Sequence, residues 1–140
     1  MKLLLDTCVI SDLVSKKPNP AVVEWVDAQD DDDIYLSVIT IGEIVKGIER
    51  LPASKRKREL LDWLSNDLLA RFQDRIMALD IDVLVEWGTL TARMELAGRP
   101  MPAIDALIAA TALVNRCTLV TRNVNDFEGT GVEIINPWEQ

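Results

Sequence analysis

Short apolar runs alternate with longer amphipathic segments along the chain. Residues 2–5 (Lys-Leu-Leu-Leu) end at an acid and have the pattern of a buried parallel strand. Similar runs predict four more strands, over residues 34–38, 76–79, 118–121 and 132–135. The segments between them predict helices over residues 7–15, from Asn19-Pro20 to the four aspartates at 30–33, from Thr40 to about Arg50, and over 54–75, 82–96 and 103–115.

This alternation of strands and helices predicts an α/β fold. The simplest architecture is a single domain over residues 1–140, with a central, mostly parallel sheet of about four to five strands flanked by helices. In such sheets ligands bind beyond the carboxyl ends of the strands. The residues expected at that edge are therefore the candidates for chemistry.

Composition limits the kinds of site that this edge can hold. The chain has 140 residues, of which 49% are hydrophobic, 27% are charged and none is histidine, so histidine bases and histidine-ligated metals are excluded. The net charge of −8 argues against nucleic-acid binding by bulk attraction. No apolar stretch approaches the length of a membrane span, and no secretory signal is visible. We expect a cytoplasmic protein in which Cys8 and Cys117, placed at opposite sheet edges, stay unpaired.

Four acids are expected at the carboxyl edge. Asp6 follows the first strand, Glu43 lies in the first turn of the helix after the second strand, and Asp126 lies in the turn after the fourth. Asp105 lies in the first turn of a helix that runs back antiparallel to the sheet, so its end faces the same edge.

Each acid also has an ordinary structural interpretation. Thr40-x-x-Glu43 fits a capping box, and Asp105 can complement a helix dipole. Asp6 can cap the next helix, and Asp126 can shape a turn. Four such acids on one edge by coincidence are much less expected than any one of them.

A cluster of carboxylates needs neutralisation. Two carboxylates about 5 Å apart repel by roughly 3 kcal/mol at an effective dielectric near 20. Either protons or a cation must offset this repulsion. Oxygen ligands without histidine or clustered cysteine favour Mg²⁺ or Mn²⁺ over Zn²⁺, and such ions support phosphodiester hydrolysis.

The segments that carry these acids resemble the PIN-domain family, and within it the VapC/FitB-type toxins of prokaryotic toxin–antitoxin pairs. The resemblance spans nearly the whole chain and rests on Leu3-Leu4-Leu5-Asp6-Thr7, Ser37-Val38-Ile39-Thr40-Ile41-Gly42-Glu43, Ile104-Asp105-Ala106-Leu107-Ile108-Ala109 and Val120-Thr121-Arg122-Asn123-Val124-Asn125-Asp126-Phe127. It implies a ribonuclease dependent on Mg²⁺ or Mn²⁺, a cognate antitoxin that blocks the site, and a homodimer.

The resemblance also implies roles for individual residues. Asp6, Glu43 and Asp105 match the three main acids. Asp126 is the best match for the fourth, although some relatives carry that acid at the position of Asn123. Small polar residues that the resemblance places around the acids are expected to hydrogen-bond the carboxylates or to orient a water; they are Thr7, Ser11, Thr121 and Asn123. Helix capping remains an alternative role for Thr7 and Ser11.

Basic and apolar residues near the acids are candidates for contacts with partners. Lys46, one turn beyond Glu43, and Arg122, beside the fourth strand, are candidates for RNA phosphate contacts. The basic run 55–58 is more simply a solvated helix start. Surplus apolar residues over 41–50 and 54–75, including Trp63 and Leu64, predict either core or a groove for an antitoxin helix.

Two other functions compete with the nuclease. An Asp-nucleophile phosphatase needs an acid two residues after Asp6, where this chain has Cys8. A non-catalytic binding module would use the acidic pocket to capture an arginine from a partner.

Overall fold

The computed structural model describes residues 1–140 and contains one five-stranded, wholly parallel sheet. The strands are β1 (Leu3–Leu5), β2 (Ile34–Ser37), β3 (Ile76–Met77), β4 (Thr118–Val120) and β5 (Ile134–Ile135). Their order across the sheet is β3-β2-β1-β4-β5, so β1 is central. The predicted fold class and all five strands are confirmed, although each strand is shorter than predicted.

The helices cover both faces of the sheet. They are α1 (Thr7–Leu13), α2 (Pro20–Asp27), α3 (Val38–Glu49), α4 (Lys55–Trp63), α5 (Leu69–Arg71), α6 (Ile81–Leu96) and α7 (Ala103–Asn115). Short 3₁₀ turns occur at Asp31–Asp33, Val124–Phe127 and Pro137–Glu139. None of these helices combines the length and the hydrophobicity that a membrane-spanning segment needs.

The core consists of two apolar clusters, one on each face of the sheet. Leu3 and Leu5 of β1 join one cluster and Leu4 joins the other, as expected because successive side chains of a strand point to opposite faces. The first cluster takes apolar residues from α1 to α4 and the segment after α4. The second takes them mainly from α6 and α7. Burial on both faces explains why β1 is a continuous apolar run.

The predicted helix over residues 54–75 is wrong as a single element. After α4 the backbone forms a π-helical segment, Leu64–Leu68, and α5 ends at Arg71. Leu60, Leu64, Leu68 and Phe72 are all buried in the same cluster at a spacing of four residues. A regular α-helix has 3.6 residues per turn, so it would rotate these side chains off the core, and a locally wider turn keeps them facing it.

The predicted start of α3 at Thr40 is also wrong. α3 begins at Val38, and Ser37 is its N-cap, with Oγ accepting a hydrogen bond from the Ile39 backbone N–H at 3.1 Å. Glu43 therefore lies in the second turn of α3, and the proposed capping box with Thr40 does not form. An ordinary structural explanation for Glu43 is thereby removed.

Candidate active site

Asp6 lies at the centre of the carboxyl edge, directly after β1. Its backbone N–H donates to the Val120 carbonyl at 2.9 Å, which extends the pairing of β1 with β4. Its side chain caps α1, with Oδ1 accepting from the Thr7 N–H at 2.8 Å. Oδ2 accepts from Thr121 Oγ1 at 2.8 Å. With 8% of its surface exposed, Asp6 is a buried acid held in one orientation by two neighbours.

Glu43 projects from α3 toward the same edge and is held by Thr7. Thr7 Oγ1 donates to Glu43 Oε1 at 2.6 Å and lies 3.1 Å from Thr40 Oγ1. Because Thr7 is the first residue of α1, this bond ties α1 to α3. The capping interpretation of Asp6 and the proposed orienting role of Thr7 therefore coexist.

Asp105 and Asp126 approach the same edge from α7 and from the turn after β4. Asp105 is half-buried in the first turn of α7, and Asp126 is exposed in the 3₁₀ turn after β4. Burial raises the pKa of Asp105 above its ordinary value, and the negative charges of Asp126, Asp6 and Glu43 raise that pKa further. Asp105 thus lies within electrostatic reach of the other three acids.

The pKa of Asp6 is raised as well. Burial is the main cause, hydrogen bonds from Thr121 and Thr7 oppose it, and the charge of Glu43 adds to it. The hydrogen bonds therefore only partly compensate for placing a carboxylate beside another acid in a buried position.

A hard divalent cation fits this donor set by its chemistry. The acids supply only oxygen ligands, and the chain has no histidine. In this structure no three Asp, Glu or Cys side chains form a group already arranged to hold a metal ion. Binding of a cation therefore requires some of these carboxylates to move toward one another.

Of the four small polar residues that the resemblance places around the acids, two contact a carboxylate through their side chains and two do not. Thr7 and Thr121 contact the acids directly, as described above. Ser11 is exposed one turn further along α1 and makes no hydrogen bond to an acid. The exposed Asn123 takes part through its backbone, donating to Thr121 Oγ1 at 3.1 Å and accepting from the Asp126 N–H at 3.1 Å. Neither Ser11 nor Asn123 orients a carboxylate through its side chain here.

Two additional polar residues belong to the site. One is Thr40, which contacts Thr7 as described above, and the other is Cys8. Cys8 Sγ lies 3.9 Å from Asp6 Oδ2 and 3.5 Å from Thr121 Oγ1. Burial raises the pKa of the Cys8 thiol, so it stays protonated beside Asp6. Both cysteines are free. The position of Cys8 next to Asp6 was visible in the sequence, but its contact with Thr121 depends on the pairing of β1 with β4.

A cleft of about 540 Å³ opens beside Glu43 and is lined by Thr7, Lys46 and Arg50, with Leu79 and Ile104 on its apolar side. Lys46 is exposed and places a positive charge in this cleft. Arg122 instead stacks on Trp138, with its guanidinium carbon 5.0 Å from the ring centre.

The basic run 55–58 is largely occupied by local contacts. Lys55 pairs with Glu59, and Arg56 donates to the Val14 carbonyl at 2.8 Å. Lys57 donates to the carbonyls of Glu49 and Leu51, both at 3.2 Å. These contacts favour a structural role for the run over a role in the substrate groove.

Comparison with known proteins agrees with the fold described above. The family model described as "PIN domain" matches residues 3–131. A relative named VapC ribonuclease Y4jK, from Sinorhizobium fredii, is 36% identical over 98% of this chain and 98% of its own. Toxin FitB from Neisseria gonorrhoeae is 35% identical over 97% of this chain and 98% of its own. The crystal structure of FitAcB from Neisseria gonorrhoeae superposes with a TM-score of 0.94 at 35% identity, covering 99% of both chains.

Proposed function

Because the chain belongs to the PIN-domain family, we propose that it is a Mg²⁺- or Mn²⁺-dependent endoribonuclease that acts as the toxin of a toxin–antitoxin pair. The observation that carries this proposal is the group of four like-charged acids at one sheet edge, two of them with raised pKa values. The relatives named as a ribonuclease and as a toxin support the reaction and the biological role.

In this proposal Asp6, Glu43, Asp105 and Asp126 would hold the cation, which when bound would supply an activated water and offset charge on the leaving oxygen. The chain's other residues prepare the site. Thr121 and the Thr7 N–H orient Asp6, while the Thr7 hydroxyl orients Glu43. These bonds keep two carboxylates aimed at the edge and restrict their rotamers.

Substrate phosphates require local positive charge, since the whole chain carries −8. Lys46 lies in the same cleft as Glu43 and is the first candidate for a phosphate contact. Arg122 is the second, and its stacking on Trp138 restricts the positions that its guanidinium can reach.

The test is cleavage of RNA by the purified full-length chain with Mn²⁺ or Mg²⁺. We expect Asp105→Asn and Glu43→Gln to lose cleavage. The exposed variant Glu133→Gln, which lies just before β5 at the opposite edge of the sheet, should keep it. Full activity in excess EDTA, or in Asp105→Asn, would reject the metal-dependent mechanism. Equal growth inhibition by wild type and Glu43→Gln would instead favour the competing function, capture of a partner's arginine without turnover.

For the antitoxin, we propose an apolar groove of about 440 Å³ between α1, α2 and the π-helical segment. Its lining includes Leu13, Val14 and Trp63, and Asp27 and Asp67 also border it. The sequence leaves both core and groove open for Trp63 and Leu64. Trp63 lines this groove, whereas Leu64 is buried in the core.

Substitution in this groove separates neutralisation from catalysis. Leu13→Asp introduces a charge into the groove wall, so we expect the antitoxin that neutralises the wild-type toxin to fail against this variant. RNA cleavage by the free variant is expected to persist, because Leu13 lies at the far end of α1 from Asp6. Full neutralisation of Leu13→Asp would place the antitoxin elsewhere.

For the homodimer, we propose the exposed apolar face at the start of α6. Ile81 and Val85 are 81% and 64% exposed, and Leu84 lies beside them on the same helix. We expect Val85→Asp to convert a dimer to a monomer in light scattering. The control is Leu96→Asp, at the opposite end of α6, where the side chain is 90% exposed. Dimers that survive Val85→Asp would exclude this face.

A further inference from the structure

The turn that carries Asp126 is tied to α6 by an arginine fork. Arg93, in the last turn of α6, donates from Nη1 to the Gly129 carbonyl at 2.9 Å and from Nη2 to the Thr130 carbonyl at 3.1 Å. These two carbonyls follow Asp126 by three and four residues. A planar guanidinium with two parallel donors fixes the direction of the backbone as well as its distance.

A second arginine holds the same segment from the connection between α6 and α7. Arg99 Nη2 lies 3.4 Å from Glu128 Oε2. Its guanidinium also lies against Gly129, where a Cβ atom would be 3.0 Å from Arg99 Nη1. Gly129 has φ +83°, a conformation that glycine adopts without strain. Both the conformation and the close approach of Arg99 therefore favour glycine at this position.

The turn is also anchored from the interior. Phe127, next to Asp126, is buried in the same apolar cluster as Met94 of α6 and Ile108 of α7. Thr130 is buried, and its Oγ1 donates to the Phe127 carbonyl at 2.7 Å. The turn thus has an apolar attachment inside and two arginine attachments outside.

These attachments join the two elements that carry Asp105 and Asp126. Asp126 lines a cavity of about 230 Å³ together with Arg99, Met101 and Pro102, which lead into α7. Asp105 lies in the first turn of that helix. The like charges of the two carboxylates favour movement of the exposed turn away from α7, and the arginine contacts oppose that movement.

We propose that Arg93 and Arg99 form a clamp that positions Asp126 beside Asp105, so that both acids reach the same divalent cation. They act as positioning residues, because their contacts are to the backbone and to Glu128. This inference rests on the proposed metal-dependent function.

The test measures Mn²⁺ binding to the full-length chain by calorimetry, without RNA. We expect Arg93→Ala to weaken Mn²⁺ binding about tenfold, at the low end of the loss seen when indirect supports of metal ligands are removed. Arg93→Lys keeps the charge but has one nitrogen in place of the fork, so it should restore binding only in part. Lys17→Ala, which removes a positive charge from the exposed loop between α1 and α2, should bind Mn²⁺ like wild type.

A second comparison separates positioning from a general loss of structure. In the Asp126→Asn background, Arg93→Ala should change the Mn²⁺ affinity less than twofold, because the carboxylate that the clamp positions is already gone. Hydrogen exchange should show faster exchange of the Asp126 and Thr130 amides in Arg93→Ala, with the amides of β1 unchanged.

Each outcome decides a different point. Wild type that binds no Mn²⁺ rejects the proposed function. Wild type that binds Mn²⁺ while Arg93→Ala and Arg99→Ala bind it equally well rejects the clamp alone. If Arg93→Ala lowers the Mn²⁺ affinity equally in the wild-type and the Asp126→Asn backgrounds, the clamp is also rejected. If Arg93→Ala does not fold, Arg93→Lys and Arg99→Ala carry the same comparisons.

Discussion

Replacement of Asp105 by Asn tests whether the acids at the sheet edge repel one another. The pKa of Asp105 is raised by burial first and then by the charges of Asp126, Asp6 and Glu43. Asn has nearly the same size and carries no charge. We therefore expect Asp105→Asn to be more stable than wild type at pH 7 in EDTA, although it loses cleavage.

The magnitude follows from the surroundings of Asp105. Two like charges about 8 Å apart repel by about 2 kcal/mol at an effective dielectric of about 20. The charges of Asp126, Asp6 and Glu43 all act on Asp105, but Asp105 is partly exposed, so solvent screens much of the repulsion. We expect a gain of about 1–2 kcal/mol, which for a chain of this size corresponds to a rise in melting temperature of about 3–7 °C.

The pH dependence has a defined sign. Because the folded-state pKa is raised above the ordinary value of 3.8, the folded protein keeps a proton on Asp105 that the unfolded chain has lost. Wild type therefore loses stability as the pH rises from about 3.8 through the raised pKa. Asp105→Asn lacks this loss, so its advantage should be small near pH 4 and complete by pH 7.

The assay is thermal unfolding followed by circular dichroism, in EDTA and then with Mn²⁺. Wild type should gain stability with Mn²⁺ and the variant should gain much less. Asp32→Asn is the matched control, since Asp32 is exposed just before β2, at the edge of the sheet opposite the acids. That control should change the stability by less than about 0.5 kcal/mol. A lower melting temperature for Asp105→Asn in EDTA at pH 7 would refute the repulsion argument.

Three further predictions concern single contacts. Thr121→Val removes the hydroxyl that donates to Asp6, so Mn²⁺ affinity measured by calorimetry should fall about 10–100-fold. Thr121→Ser keeps a hydroxyl and should retain the wild-type affinity. Equal Mn²⁺ affinities of the two variants would contradict the role of the hydroxyl. Ser37→Ala removes the N-cap of α3 and should lower the free energy of unfolding in urea by about 1 kcal/mol; an unchanged value would show that the cap is dispensable. Burial raises the pKa of the Cys117 thiol to about 11, so the folded protein keeps a proton that the unfolded chain loses above about pH 9. Stability should therefore fall more steeply between about pH 9 and pH 11 in wild type than in Cys117→Ala, and parallel pH profiles would contradict it.

The convergence of the acids could be predicted because it depends only on chain direction. Asp6 follows a strand, and Asp105 precedes one by a helix, so a parallel sheet brings both to one edge whatever the details of packing. The spacing of Leu60, Leu64, Leu68 and Phe72 also contained the signal for the π-helical segment. A prediction that assumes a uniform helical period overlooks that signal.

Other features depend on contacts that no local pattern encodes. Whether Ser37 or Thr40 caps α3 depends on where β2 stops pairing with its neighbours, since both residues have a capping side chain. The fork from Arg93 reaches carbonyls 36 and 37 residues away in sequence. Backbone carbonyls carry no sequence signature, so only the folded chain reveals this contact.

The four acids are unequally prepared for a cation. Asp6 accepts two short hydrogen bonds and Glu43 accepts one. No hydrogen bond lowers the raised pKa of Asp105. A carboxylate held by such bonds resists reorientation, and one without them can turn at little cost. The movement needed to form a metal group should therefore occur at Asp105 and Asp126. The proposed arginine clamp acts on the turn that carries one of these two acids, so it would restrain the backbone of Asp126 while its side chain stays free to turn toward the cation.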